Sequence, residues 1–106
     1  MTEYLQLTTT VDSPERASLL SRGMVEKRLV ACAQVMGPIQ STYWWQGKIE
    51  ETEEWMILAK TRANRVDELL EFLRTEHPYE TFEAIVMPIV AGNQKYLNWI
   101  SSETEL

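Results

Sequence analysis

Two side chains in this sequence could act together in nucleophilic chemistry, the thiol of Cys32 and the imidazole of His77. The 106-residue chain has one cysteine and one histidine, so no other Cys–His pair is available. A third group that would orient the imidazole cannot be identified, and the sequence contains no GxSxG, Walker or CxxC motif. Cys32 also lies among small apolar residues, which is typical of a buried structural thiol. We therefore expect a protein without catalytic activity.

His77 is also the first candidate for a metal ligand. It precedes Pro78 and lies close to Glu80, and an imidazole beside carboxylate oxygens suits several divalent ions. One chain offers too few ligands for a closed tetrahedral site, so the remaining ligands would come from another subunit. The alternative is that His77 is a helix-terminal cation or a hydrogen-bonding partner.

The charge balance limits the classes of partner. Acidic residues outnumber basic ones by 16 to 10, giving a formal net charge of −6, and no basic patch for nucleic acid or for a membrane surface is visible. The run of residues 50–54 (EETEE) alternates along a strand, with Glu51 and Glu53 on one face and Glu50 and Glu54 on the other. We interpret this run as a solvated edge that deters aggregation rather than as a cation site.

The N-terminal segment and the apolar content bear on location. The first ten residues lack the basic start and apolar stretch of a secretory signal, and no apolar run of about 18 residues is present. The single cysteine fits a reducing compartment. We expect a cytoplasmic protein that does not cross a membrane.

Hydrophobic spacing predicts the elements that position these side chains. Alternation predicts strands at residues 4–11, at 29–35 with an extended continuation over 39–45, at 49–61 and at 84–90. Helical spacing predicts helices at residues 14–27, 62–76 and 93–102. Gly37-Pro38 predicts a bulge or kink in the second strand. Pro78 ends the second helix, because a residue before proline disfavours helical geometry.

The order β-α-β-β-α-β with a terminal helix predicts an α+β protein of the ferredoxin-like pattern. Its length fits one domain over residues 1–106. The helices would cover one face of an antiparallel sheet. The third strand, however, carries Trp55, Ile57 and Ala59 on one face and Met56 and Leu58 on the other. Both faces are apolar, so we expect another copy of the chain to cover the second.

The second and third strands form a hairpin that is too long for the body of the domain. From Gln34 to Trp45 a strand extends about 40 Å, whereas a compact domain of this length is roughly 33 Å across. The tip carries Tyr43, Trp44 and Trp45, which are unfavourable to leave in water together. We interpret the hairpin as an oligomerisation arm with these aromatic residues at the interface. A ligand platform built from the same side chains is the alternative.

Five segments taken together resemble one protein family. They are residues 28–33 (RLVACA), 41–50 (STYWWQGKIE), 60–61 (KT), 77–80 (HPYE) and 96–100 (YLNWI). Their composition and order are similar to those of the CutA divalent-cation tolerance family. The likeness extends from about Tyr4 to Ile100.

The resemblance implies a ferredoxin-like subunit in a tight homotrimer, similar in architecture to the PII signalling proteins, with clefts between subunits. It implies a role in divalent-cation tolerance without an assigned enzymatic activity, and copper binding in some members. It places His77 and Cys32 at positions that match the family's motifs, and these two residues, together with the nearby Glu80, make up the candidate metal site. Some copper-binding members carry a second histidine where this chain has Glu76 and a cysteine where it has Thr8, so fewer soft ligands are available for copper(I) here.

Three functions remain open at this point. The first is a trimer that senses or buffers a divalent cation through His77 and neighbouring carboxylates. The second is a sensor of an anionic or nucleotide-like effector in the intersubunit cleft, with Arg28, Trp45, Lys60 and Tyr79 nearest to the effector. The third is a stable assembly module whose partner is another protein.

Overall fold

The computed structural model describes residues 3–105, which form a four-stranded antiparallel sheet with three helices. The strands are β1 (Tyr4–Val11), β2 (Cys32–Trp45), β3 (Lys48–Arg62) and β4 (Ile85–Pro88), and the helices are α1 (Pro14–Glu26), α2 (Val66–Glu76) and α3 (Gln94–Glu103). The order in the sheet is β2-β3-β1-β4. The predicted ferredoxin-like fold with a C-terminal helix is confirmed. The single-domain prediction spans residues 1–106, of which residues 1, 2 and 106 lie outside the described part.

The hydrophobic core lies between one face of the sheet and helices α1 and α2. Leu7 and Ile57 from the sheet are fully buried, as are Met24 of α1 and Leu69 of α2. The α1 helix begins as predicted, because the Ser13 hydroxyl accepts the backbone N–H of Arg16, in the first turn, at 3.1 Å. These contacts hold both helices against one face of the sheet.

The second face of the sheet is covered at one end only. Helix α3 lies across that end, where the side chains of Tyr4 and Ser101 hydrogen-bond at 2.7 Å and Ile100 is fully buried. The expectation that the helices cover a single face is therefore wrong for this end. Elsewhere on the same face Met36, Ile85 and Met87 are each about half exposed, so within residues 3–105 this apolar surface has no cover.

Strands β2 and β3 continue past the end of β1 as a two-stranded arm. We define the arm as residues 39–45 and 48–54, which pair with each other and not with β1. Gln46 and Gly47 have φ angles of 49° and 80°, the positive values that a two-residue type I′ turn requires and that match the twist of the strands. The arm lengthens the molecule to 44 Å, against 25 and 22 Å across. The predicted overhang is confirmed.

Several predicted boundaries shift by a few residues for identifiable reasons. The second strand begins at Cys32 and not at residue 29, because the N–H groups of Leu29 and Val30 bond to the Met24 carbonyl and close the end of α1. Residues 63–65 form a turn of 3₁₀ helix before α2, and β4 ends at Pro88, which has no N–H to donate. The predicted irregularity is confirmed, since the β2–β3 register shifts between residues 36 and 39.

Candidate functional site

An open groove of about 870 Å³ lies between the arm and the loop that joins α2 to β4. The arm contributes residues 41–45, 52 and 54. β1 contributes Thr10, and Asp12 directly follows the end of this strand. The loop contributes residues 79–81 and 83. We call this feature the acidic groove. It brings together three parts of the chain that are far apart in sequence.

Glu54 is the buried carboxylate of the acidic groove. Only 8% of the residue is exposed, and the phenol O–H of Tyr79 donates to its Oε2 at 2.8 Å. Burial, and then this hydrogen bond to a carboxylate, raise the pKa of Tyr79 well above its usual range. The interpretation of residues 50–54 as a solvated edge is therefore wrong for Glu54, although Glu51 and Glu53 are exposed.

The imidazole of His77 fixes the loop against the end of β1. Its Nε2 donates to the Thr10 carbonyl at 3.0 Å, and its Nδ1 accepts the N–H of Tyr79 at 3.1 Å. The ring also stacks on Phe82, with 4.7 Å between the ring centroids. Burial lowers the pKa of His77, so the neutral ring is favoured at neutral pH. The hydrogen-bonding alternative for His77 is confirmed, and a metal ion at this ring would have to replace one of the two bonds.

The charges that line the acidic groove have one sign. Asp12, Glu54, Glu80 and Glu83 face it, and no lysine or arginine lines it in the described part of the chain. Asp12 alone among these carboxylates has an ion-pair contact, at 3.8 Å to Arg16 on the exposed start of α1. A concave surface lined by carboxylates attracts cations and repels anions.

The donor set of one chain does not complete a metal site. Within residues 3–105, no three histidine, cysteine, aspartate or glutamate side chains are close enough together to hold a metal ion. Glu80 lines the acidic groove and is exposed, whereas His77 is buried behind the loop. The assignment of these residues as metal ligands stays a prediction, and it requires ligands from a second chain.

Cys32 lies at the other end of the sheet. The strand register places it level with Gln6, whereas His77 bonds to Thr10, about 13 Å further along β1. The Cys32 thiol lies 3.4 Å from the hydroxyl of Tyr96 in α3, and this contact, with burial, raises the pKa of Tyr96 to about 12. A single chain therefore does not bring the thiol and the imidazole together, either as a metal site or as a nucleophile and base.

The four residues predicted for the effector cleft divide between two regions. Tyr79 and Trp45 line the acidic groove, but Arg28 and Lys60 do not. Arg28 donates to the carboxylate of Glu103 at 3.0 Å, and Lys60 donates to a side-chain amide of β2 at 2.9 Å. Arg28 has its partner on α3 and Lys60 has its partner on β2, and neither residue lines the groove of its own chain.

The aromatic residues of the arm tip lie on two faces. Tyr43 pairs with Glu50 and Trp45 with Lys48, so strand alternation places both aromatic side chains on the face of Glu54. Trp44 lies on the opposite face and is 73% exposed. The assignment of Tyr43, Trp44 and Trp45 to an oligomer interface stays a prediction.

Asp12 and Glu54 were not recognised as site residues from the sequence. Asp12 lies just before the predicted helix at residues 14–27, and Glu54 belongs to the acidic run at residues 50–54. One signal was available for Glu54, because alternation puts it on the same face as Met56 and Leu58, where a carboxylate stands beside apolar neighbours.

A protein-family model described as CutA1 divalent ion tolerance protein matches residues 5–103. This chain belongs to that family. Protein CutA of Mus musculus is 43% identical over 96 residues, which cover 91% of this chain and 54% of the mouse protein. The divalent-cation tolerance protein CutA of Thermus thermophilus is 37% identical over 95 residues, which cover 90% of this chain and 92% of that protein.

Solved structures of the family superpose on the whole fold. The divalent cation tolerance protein of Thermus thermophilus gives a TM-score of 0.93 at 34% identity, covering 96% of this chain and 99% of that one. CutA1 from Oryza sativa gives a TM-score of 0.95 at 33% identity, and the match covers 98% of this chain and 95% of the rice chain. The family and the fold inferred from the sequence are confirmed.

The family members differ in length and in named location. This chain spans about half the length of the first curated relatives it matches, 54% of the mouse and Xenopus laevis proteins. Relatives from rice and Arabidopsis are named chloroplastic, and a structure from Archaeoglobus fulgidus is titled periplasmic. No helix in the described part of this chain has the length and apolar character needed to cross a membrane.

Proposed function

We propose that this member of the CutA family is a non-catalytic homotrimer that binds a divalent cation in the acidic groove. The observation that carries the proposal is the groove itself, in which Asp12, Glu54, Glu80 and Glu83 meet no basic lining residue in the described chain. Carboxylate oxygens are suitable ligands for hard and borderline divalent ions. The family name, divalent ion tolerance, supports the same class of ligand.

The cation would be shared between copies of the chain. A single chain lacks three donors at metal-binding distance within residues 3–105, so at least one further ligand has to come from a neighbour. Glu80 is the best-placed contributor, because it is exposed and lines the groove. The thiol of Cys32 lies outside the groove, so an oxygen-rich site suits copper(II) or a similar divalent ion better than copper(I).

Two uncovered apolar surfaces support assembly. One is the sheet face with Met36, Ile85 and Met87, and the other is the aromatic tip of the arm. Burying such surfaces against another copy removes apolar area from water, at about 25 cal/mol per Å². The resemblance to the family supplies the number three. The free thiol supports a cytoplasmic location, which stays a prediction.

The anionic-effector alternative receives less support. Arg28 and Lys60, its two predicted cations, have partners on α3 and β2, and the groove beside Tyr79 and Trp45 is lined by carboxylates. A plain assembly module without a ligand is the outcome that a negative binding experiment would favour.

Isothermal titration calorimetry of metal-depleted protein with zinc and copper(II) chlorides tests the proposal. We expect saturable binding in the micromolar range and at least a tenfold loss of affinity in Glu80→Gln. Glu76→Gln is the matched control, because Glu76 is exposed at the end of α2 and does not line the groove. Affinity no better than millimolar, or equal affinities for the two variants, would contradict the proposal.

A further inference from the structure

We propose that His77 is a positioning residue, whose imidazole holds the loop of residues 78–83 in place and acts on a bound divalent cation only through Glu80, without coordinating the ion. The part that concerns the cation rests on the proposed function, whereas the part that concerns the loop does not. Two properties of the structure carry the inference: the partners of both ring nitrogens, and the way in which the loop is attached to the ring.

Both nitrogens of the His77 ring have partners within the chain. Nε2 lies 3.0 Å from the Thr10 carbonyl, which can only accept, so this nitrogen carries the proton. Nδ1 lies 3.1 Å from the backbone N–H of Tyr79, which can only donate, so the lone pair of Nδ1 accepts that bond. A neutral imidazole has one lone pair to offer a metal ion, and in this chain Tyr79 uses it.

The place of the ring separates it from a cation that Glu80 can reach. His77 is 7% exposed and does not line the acidic groove, whereas Glu80 is exposed and lines it. A cation can therefore contact Glu80 while both hydrogen bonds of His77 stay intact. Coordination by Nδ1 would require the N–H of Tyr79 to leave the ring, and this would displace the residue directly before Glu80.

The imidazole supports the loop on both sides of Glu80. Before Glu80, Tyr79 bonds to Nδ1 and meets the imidazole edge-on, with 4.9 Å between the ring centroids. After Glu80, Phe82 stacks on the imidazole and also packs against the hydrophobic core. In the described part of the chain, residues 80–83 make no hydrogen bond of their own. The position of Glu80 therefore depends on the contacts of its two neighbours with the ring.

Zinc titration calorimetry of two replacements at position 77 tests the part that concerns the cation. His77→Ala removes every contact of the ring and should weaken zinc binding at least tenfold, about 1.4 kcal/mol. His77→Asn keeps an acceptor for the N–H two residues further on, as in an Asx turn, and should bind zinc at least about threefold more tightly than His77→Ala. Glu76→Gln is the control and should bind zinc as the parent protein does.

The two replacements separate positioning from coordination. If His77 were a ligand, both variants would lose zinc equally, because the asparagine oxygen does not replace the imidazole nitrogen as a ligand. Equal affinities of the two variants, or of His77→Ala and the parent, would overturn the inference.

NMR of untagged protein labelled with ¹⁵N in histidine alone reports on the ring directly, because the chain has one histidine. We expect the ring nitrogen resonances of His77 to keep the pattern of a protonated Nε2 and an unprotonated Nδ1 as zinc saturates the protein. A change in either resonance of the size produced by coordination to zinc would overturn the inference.

Amide hydrogen exchange of Tyr79 in metal-free protein tests the part that concerns the loop. Exchange should be at least about tenfold faster in His77→Ala than in the parent or in Glu76→Gln, because the N–H loses its acceptor. Unchanged exchange in His77→Ala would overturn the inference. A parent protein that binds no zinc would refute the proposed function, and the exchange rates would still decide whether His77 supports the loop.

Discussion

Removing one hydroxyl tests the hydrogen bond on which the acidic groove depends. Tyr79→Phe deletes the O–H that donates to Glu54 at 2.8 Å and leaves the rest of the ring in place. Glu54 is 8% exposed, so water replaces the lost donor poorly. Hydrogen bonds to charged groups contribute about 1.5–3 kcal/mol, and we expect the free energy of unfolding to fall by an amount in this range.

Urea unfolding of both proteins at pH 7 and one fixed protein concentration measures this change, since assembly makes stability depend on concentration. Tyr96→Phe is the control, because its hydroxyl makes a longer 3.4 Å contact to the Cys32 thiol and the residue is exposed and lies outside the groove. We expect the control to lose less than about 0.5 kcal/mol, as is usual for surface changes. Losses that agree within that margin would refute the special role of the pair formed by Tyr79 and Glu54.

Three further outcomes follow from individual contacts. Gly37→Ala should cost about 1–3 kcal/mol in urea unfolding, because the new Cβ would lie 2.3 Å from Cδ1 of Trp55 and the ring must shift; unchanged stability would contradict that contact. In metal-free protein, stability should fall as the pH drops below the ordinary histidine pKa of 6.5, since burial lowers the pKa of His77 and the unfolded chain binds the proton more readily. The slope is at most about 1.4 kcal/mol per pH unit, and unfolding curves from pH 7 to 5 should show a smaller slope for His77→Gln than for the parent. Cys32→Ser should leave the zinc affinity within about twofold, because the thiol lies at the α3 end of the sheet; a tenfold loss would place it in the site.

The fold was predictable because local signals agree with one another. Helical spacing over residues 14–27, alternation over residues 4–11 and Gly37-Pro38 in the second strand each favour one local structure. Each structure occurs at that place, as α1, as β1 and as the register shift between residues 36 and 39. The exception was α3, whose position on the second face depends on contacts such as that between Tyr4 and Ser101, 97 residues apart.

The candidate site was less predictable, because it depends on burial and on three-dimensional proximity. His77 was recognised as important, but its two hydrogen bonds join it to Thr10 and Tyr79 and not to an exposed ligand. The sequence does not distinguish Glu54 from the other carboxylates of the acidic run, because its burial depends on the loop that carries Tyr79. Alternation can assign a residue to a face of the sheet, but it cannot say which loop covers that face.

Native mass spectrometry of the protein, purified without chelator and then titrated with zinc, tests the central claim most directly, because it reports subunit number and bound ions together. We predict a trimer that carries zinc in a fixed ratio, retains it in Glu76→Gln and loses it in Glu80→Gln. A monomer, or a trimer with the same zinc content in both variants, would contradict a cation site shared between copies at the acidic groove.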